Sequence, residues 1–151
     1  MDVLVAVARY GLGVLFLYMG LNKALHPVEF LKLLRQYDII HPYLWLNLVA
    51  SALPWFEVFC GGLLLVGAGV RGTAVMLLVM LIPFTVVVLL RARAMGEAGG
   101  LPFCAIKFDC GCGGGEVLIC RKLVENILLI ILSAGLIFWR SDRLCLRYAL
   151  R

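Results

Sequence analysis

Four long runs of apolar residues, separated by polar segments, dominate the chain. They cover residues about 3–21, 44–70, 73–90 and 123–139. A helix needs about 20 mostly apolar residues to cross the hydrocarbon layer of a bilayer, which is roughly 30 Å thick, and each run is close to that length. The pattern therefore predicts an all-α fold, a membrane four-helix bundle formed by a single domain of residues 1–151.

The polar segments between these runs predict the remaining elements. Residues 27–37 begin with a proline and place apolar side chains at helical spacing, which is typical of a short helix lying at the membrane interface. Arg71-Gly72 separates the second and third runs so closely that a tight helical hairpin is expected there. Residues 91–122 are polar, rich in glycine and hold four of the six cysteines. They are expected to form a loop before the fourth span.

Composition supports the assignment to a membrane. The chain has 151 residues, is 64% hydrophobic and only 15% charged, and has a mean hydropathy of +1.03. A soluble domain of this length cannot bury that much apolar surface, so lipid must cover it. The net charge of +5 does not indicate a nucleic-acid partner, because the basic residues lie at the edges of the apolar runs rather than in one tract.

The orientation of the spans follows from two opposing signals. Four spans place both termini on one side of the membrane, and residues 27–37 and the cysteine loop on the other. The loop side carries more basic residues, which favours the cytoplasm for the loops, but several of these residues can pair with nearby acidic ones. A cysteine-rich loop is more typical of an oxidising compartment. We predict that the termini are cytoplasmic and that the protein is a multi-pass protein of the inner membrane.

The loop cysteines are the candidate chemistry. A disulfide between Cys110 and Cys112 would close a very small ring and would be easily reduced, so this pair is the candidate catalytic thiol pair. Cys104 and Cys120 bracket the pair as auxiliary resolving or shuttle thiols. Two structural disulfides that hold the loop explain the same residues. A metal held by four thiolates is disfavoured, since the spacing does not match the usual paired arrangement, and no metal site is predicted.

Two charged residues fall inside the predicted spans. Arg9 and Glu57 enter from opposite sides and both reach the middle third of the bilayer, so they are predicted to pair, with Tyr10 or Tyr18 as a polar neighbour. In one interpretation the pair locks the first two helices together. In the other, Arg9, Glu57 and Tyr18 line a pocket for a quinone head group or relay a proton. The first interpretation is favoured, because structural charges in spans also face the bundle interior.

Four other residues have thiol, acid or amide side chains that need an interpretation. Cys60, within the second run, is expected to be an inert core residue, and Cys145, in the basic tail, is expected to be a free thiol. Glu125 and Asn126 begin the fourth run near the cysteine loop. They are candidates for an acid or hydrogen-bonding role there, and an interfacial position explains them equally well.

The order of these features resembles a known family. The motifs are spread over essentially the whole chain: Arg9, Gly13, Gly20 and Lys23; Pro54-Trp55-Phe56-Glu57; Gly61-Gly62-Leu63 and Gly67; Arg71; and Cys110-Gly-Cys112-Gly. In this order they resemble the DoxX and MauE-like membrane proteins. The resemblance implies four helices, thiol or quinone redox chemistry and a Cys-Gly-Cys pair that faces the periplasm.

The resemblance also implies a cellular role. The DoxX family takes its name from a membrane thiosulfate:quinone oxidoreductase, and MauE-like proteins are linked to methylamine utilisation, where they are thought to help form the disulfides of the amine dehydrogenase. The leading hypothesis is a thiol/quinone redox protein that exchanges disulfides with a periplasmic partner. The alternative is a noncatalytic subunit or assembly factor of a larger membrane complex, with structural disulfides and helices that pack through glycine-rich faces.

Overall fold

The computed structural model describes residues 2–37, 43–99, 102–109 and 116–139. This part of the chain is almost entirely helical, which confirms the all-α fold class. Its helices are α1 (Asp2–Leu25), α2 (Pro27–Tyr37), α3 (Tyr43–Val66), α4 (Val70–Gly99) and α5 (Ile119–Phe138). A short 3-10 helix (Phe103–Ala105) and two three-residue strands, β1 (Lys107–Asp109) and β2 (Glu116–Leu118), lie between α4 and α5.

Three helices of the described ranges are long and apolar enough to cross a membrane, over Val3–Leu25, Leu46–Val66 and Val70–Glu97. The protein is therefore a multi-pass membrane protein. Helix α5 has 20 residues, but its first two turns contain Arg121, Lys122 and Glu125. Three charges are costly to place in the hydrocarbon layer, so a fourth crossing through α5 stays a prediction.

The reversal between α3 and α4 differs from the predicted turn at Arg71-Gly72. It occurs at residues 67–69, where Gly67 and Gly69 have φ angles of 76° and 57°. Glycine adopts this left-handed conformation without the steric cost of a Cβ atom, and the N–H groups of Gly67 and Ala68 both donate to the Leu63 carbonyl to close the helix end. Arg71 and Gly72 consequently lie in the first turn of α4.

The segment predicted as a loop, residues 91–122, is more ordered than expected. Helix α4 continues through its first nine residues to Gly99, and α5 begins at Ile119. Between them β1 and β2 pair antiparallel, with Asp109 opposite Glu116. The Ile119 N–H donates to the Ile106 carbonyl at 3.0 Å, which ties the start of α5 to this hairpin.

Helices α1 and α3 pack antiparallel, and three glycines let their backbones approach closely. A Cβ atom built on Gly20 would lie 2.7 Å from the Pro54 carbonyl oxygen, and one on Gly61 would lie 2.8 Å from that of Gly13. Helix α4 packs mainly on α5, and α2 packs on α3. Buried apolar side chains from α1, α3, α4 and α5 form one shared core, which includes Phe16, Cys60, Leu77 and Leu129.

Candidate functional site

A buried ion pair joins α1 to α3. The Lys23 ammonium lies 2.6 Å and 2.8 Å from the two carboxylate oxygens of Glu57, and both side chains are almost fully buried. Gly20 makes this contact possible, because α1 can then lie directly against the Glu57 side chain. Burying two charges is costly unless they neutralise each other at short range, and this geometry meets that condition.

Helix α2 covers one side of the ion pair. The ring of Phe30 is buried, and its centroid is 5.5 Å from the Lys23 nitrogen, within the range of a cation–π contact. The amphipathic pattern of residues 27–37 explains this placement, since the apolar face of α2 turns toward the bundle. The short helix is thus part of the wall around the ion pair.

The predicted partner of Glu57, judged from depth in the membrane alone, was Arg9. The structure instead pairs Glu57 with Lys23. Arg9 lies 11 residues before Gly20, the α1 neighbour of Glu57, which is about 16 Å along the helix. Side chains lean toward the N-terminus of their own helix, so Arg9 and Glu57 lean away from each other in this antiparallel pair. Arg9 is buried at the opposite end of α1, with its guanidinium 4.6 Å from the Tyr10 ring centroid.

Tyr18 does not join the buried site. Its side chain is 63% exposed on the outer face of α1, in a shallow groove that it shares with Val7 and Val14. The described structure does not bring Arg9, Glu57 and Tyr18 to one pocket, because Glu57 lines a separate cavity while Tyr18 lies in the outer groove. Glu57 alone belongs to the site described here.

A partly open cavity of about 180 Å³ lies beside the ion pair. Lys23, Glu57 and Asn126 supply its polar groups, and the rest of its wall is apolar and includes Leu53 and Phe84. Asn126 is 1% exposed, and its side-chain nitrogen has no hydrogen-bond acceptor among the described residues. A cation, a carboxylate and an amide donor thus converge on one space inside the bundle.

Sequence reasoning missed Lys23 as the partner of Glu57 and left the role of Asn126 open, although the helical period carries a signal for both. Lys23 follows Phe16 and Gly20 on the buried face of α1, at spacings of three and four residues. Asn126 lies on the buried face of α5, between Lys122 and Leu129. A polar residue on the apolar face of a span marks a contact inside the bundle.

The auxiliary thiols Cys104 and Cys120 form a disulfide, with their Cα atoms 5.1 Å apart. This bond joins the 3-10 helix to the first turn of α5 and closes the chain around the β1–β2 hairpin. The candidate catalytic cysteines, Cys110 and Cys112, fall between β1 and β2 in the sequence and lie outside the described residues. Cys60 is fully buried in the shared core, as expected, and Cys145 also lies outside the described residues.

The histidine, cysteine and acidic side chains are scattered in the described part of the chain. Within residues 2–37, 43–99, 102–109 and 116–139, no three histidine, cysteine or acidic side chains come together as a metal site would require. Two of the four loop thiols are already joined in the Cys104–Cys120 disulfide. A centre with four thiolate ligands is incompatible with that bond, because disulfide sulfurs are not thiolates.

Comparison with known proteins identifies the family. No curated protein and no solved structure matches the chain. A family model described as methylamine utilisation protein MauE matches residues 1–140, which is nearly the whole length. The match agrees with the resemblance of the sequence motifs and with the multi-pass helical structure. The chain belongs to the methylamine utilisation protein MauE family.

Proposed function

We propose that this protein is a membrane thiol redox protein of methylamine utilisation. In this proposal Cys110 and Cys112 exchange a disulfide with a periplasmic protein, and the electrons pass to a quinone in the membrane. The observation that carries the proposal is the Cys104–Cys120 disulfide. It ties down both ends of the segment that contains Cys110-Gly-Cys112, next to the start of a helix whose buried face reaches the cavity.

The thiol exchange and the reoxidation each conserve atoms and electrons. A dithiol of the partner becomes a disulfide when the Cys110–Cys112 disulfide is reduced to two thiols, so one S–S bond breaks as another forms. Reoxidation of the two thiols releases two electrons and two protons. A quinone supplies this chemistry, because it takes up two electrons and two protons when it becomes a quinol. Cys104 and Cys120 are the auxiliary pair through which these electrons can pass by a second exchange.

The proposal requires the loop to face an oxidising compartment. Disulfides persist outside the cytoplasm and are rare within it, so the Cys104–Cys120 bond supports a periplasmic loop. Four crossings of the inner membrane, with α5 as the fourth, then place both termini in the cytoplasm.

This orientation can be measured with two variants that each keep a single cysteine, Cys112 or Cys145. A membrane-impermeant maleimide is expected to label the Cys112 variant in intact spheroplasts, because that residue faces outward. The Cys145 variant is expected to react only after the membrane is permeabilised. The opposite labelling pattern would invert the orientation, and equal labelling of both in intact spheroplasts would show that α5 does not cross the membrane.

The thiol exchange itself is tested by a Cys110→Ser, Cys112→Ser variant in a host that lacks the native protein. The partner, taken as the disulfide-containing amine dehydrogenase, is expected to accumulate with free thiols, because the protein has lost its exchange pair. Alkylation and gel mobility measure the thiol state. The matched control is Cys60→Ala, since Cys60 is buried in the core away from the loop. Normal partner oxidation by the double variant would exclude the mechanism and favour a noncatalytic assembly role.

A further inference from the structure

We propose that the cavity bounded by Lys23, Glu57 and Asn126 is the binding site for the head group of a quinone. This inference rests on the proposed function, which requires a lipid-soluble acceptor of electrons, and adds the residues that bind it. It places the acceptor at the end of α1 that carries Lys23, away from Arg9 and Tyr18. Three features support the assignment: the unsatisfied amide of Asn126, the Lys23 ammonium neutralised by Glu57, and the size and polarity of the cavity.

The amide of Asn126 is a buried hydrogen-bond donor at the wall of the cavity. A side-chain nitrogen that is buried at 1% exposure normally donates a hydrogen bond, and this one finds no acceptor among the described residues. Because Asn126 lines the cavity, a ligand acceptor in the cavity lies close to this donor. A carbonyl oxygen of the ligand is an acceptor of the required kind.

The Lys23 ammonium also borders the cavity and has three hydrogens to donate. Two contacts go to the carboxylate oxygens of Glu57, which leaves one hydrogen for a further acceptor. The cavity therefore offers donors from α1 and α5 to a ligand with two acceptor oxygens. Glu57 neutralises Lys23, so the site does not require an anionic ligand.

The size and polarity of the cavity suit a small ring. Its volume is about 180 Å³, and a cavity of about 150 Å³ in another protein is known to hold a benzene ring. The apolar wall, including Leu53 and Phe84, suits the faces of such a ring. A flat ring with two carbonyl oxygens is the chemical description of a quinone head group.

The site also lies at the correct end of the molecule. Asn126 follows Cys120 by six residues on α5, which is about 9 Å along the helix axis. The Cys104–Cys120 disulfide and the cavity therefore share one end of α5. Arg9 lies at the far end of α1, so a pocket there would be remote from the cysteines.

Binding can be measured directly on the full-length protein in mild detergent. A short-chain ubiquinone analogue is expected to quench tryptophan fluorescence in a saturable manner. Asn126→Leu is expected to weaken this binding about tenfold, which corresponds to the loss of one buried hydrogen bond. Asn47→Leu is the matched control, because Asn47 is exposed on α3 outside the cavity. Its affinity is expected to equal that of the parent.

A second variant guards against a folding defect. Asn126→Gln keeps the amide donor and is expected to bind more tightly than Asn126→Leu. Equal affinity of the parent, Asn126→Leu and Asn126→Gln would overturn the proposed site and would leave water as the partner of the amide. That result is distinguishable from failure of the proposed function, because the Cys110→Ser, Cys112→Ser variant keeps its native Asn126 and its test measures the thiol state of the partner rather than quinone binding.

Discussion

Replacing Lys23 with methionine is expected to lower the free energy of unfolding by about 3–5 kcal/mol, because Glu57 stays buried after it loses the ammonium that neutralises it. A Lys23→Met, Glu57→Leu double variant removes both charges and is expected to recover most of the loss. Titration of the protein from mild detergent into sodium dodecyl sulfate, followed by circular dichroism, measures the effect.

The exposed ion pair on α5 supplies the control. Arg121 lies 3.0 Å from a carboxylate oxygen of Glu125, but the side chains are 74% and 43% exposed. Arg121→Met is expected to cost less than about 1 kcal/mol, because solvent screens an exposed pair. If Lys23→Met cost no more than Arg121→Met, or if the double variant were less stable than the single one, the buried pair would not have the role assigned to it.

Gly61→Ala is expected to destabilise the contact between α1 and α3 by about 1–3 kcal/mol, which is typical of overpacking. Its new Cβ atom would lie 2.7 Å from the Leu17 backbone nitrogen and 2.8 Å from the Gly13 carbonyl oxygen. Backbone atoms cannot rotate away as side chains do, so the helices must separate. The same detergent titration measures the loss.

Gly62, the next residue along α3, is the matched control for Gly61. A Cβ atom on Gly62 meets nothing within 4 Å, and alanine favours helix over glycine by about 1 kcal/mol. Gly62→Ala is therefore expected to be neutral or slightly stabilising. Equal effects at Gly61 and Gly62 would mean that helix propensity, and not the close approach of α1 and α3, decides the outcome.

Hydrophobic runs were sufficient to predict the helical elements but not all of their limits. The long runs of apolar residues predicted the positions of α1, α3 and α4, and Pro27 marked the first residue of α2. The turn was misplaced because Arg71-Gly72 looked like a polar break, whereas two glycines at positions that need positive φ decide where the chain reverses. The extension of α4 past the apolar run was missed, because hydropathy reports the environment of a helix and not its hydrogen bonds.

The site was only half predictable. Glu57 stood out as a charge within a span, but its partner depends on the register of α1 against α3, which the contacts at Gly20 and Gly61 set. Counting depth from the ends of the spans cannot supply that register. Lys23 was read as a flanking charge for the same reason. The unsatisfied amide of Asn126 is a property of the packed bundle, and no local pattern reveals it.

Helix α2 contributes both to the surroundings of the ion pair and to the wall of the cavity. Phe30 lies over Lys23, and Leu34 lines the cavity, so both contacts depend on one short helix. Displacing α2 from the bundle would wet the ion pair and open the cavity in the same movement. Access to the interior and the dielectric around its charges are thus set together by one helix of 11 residues.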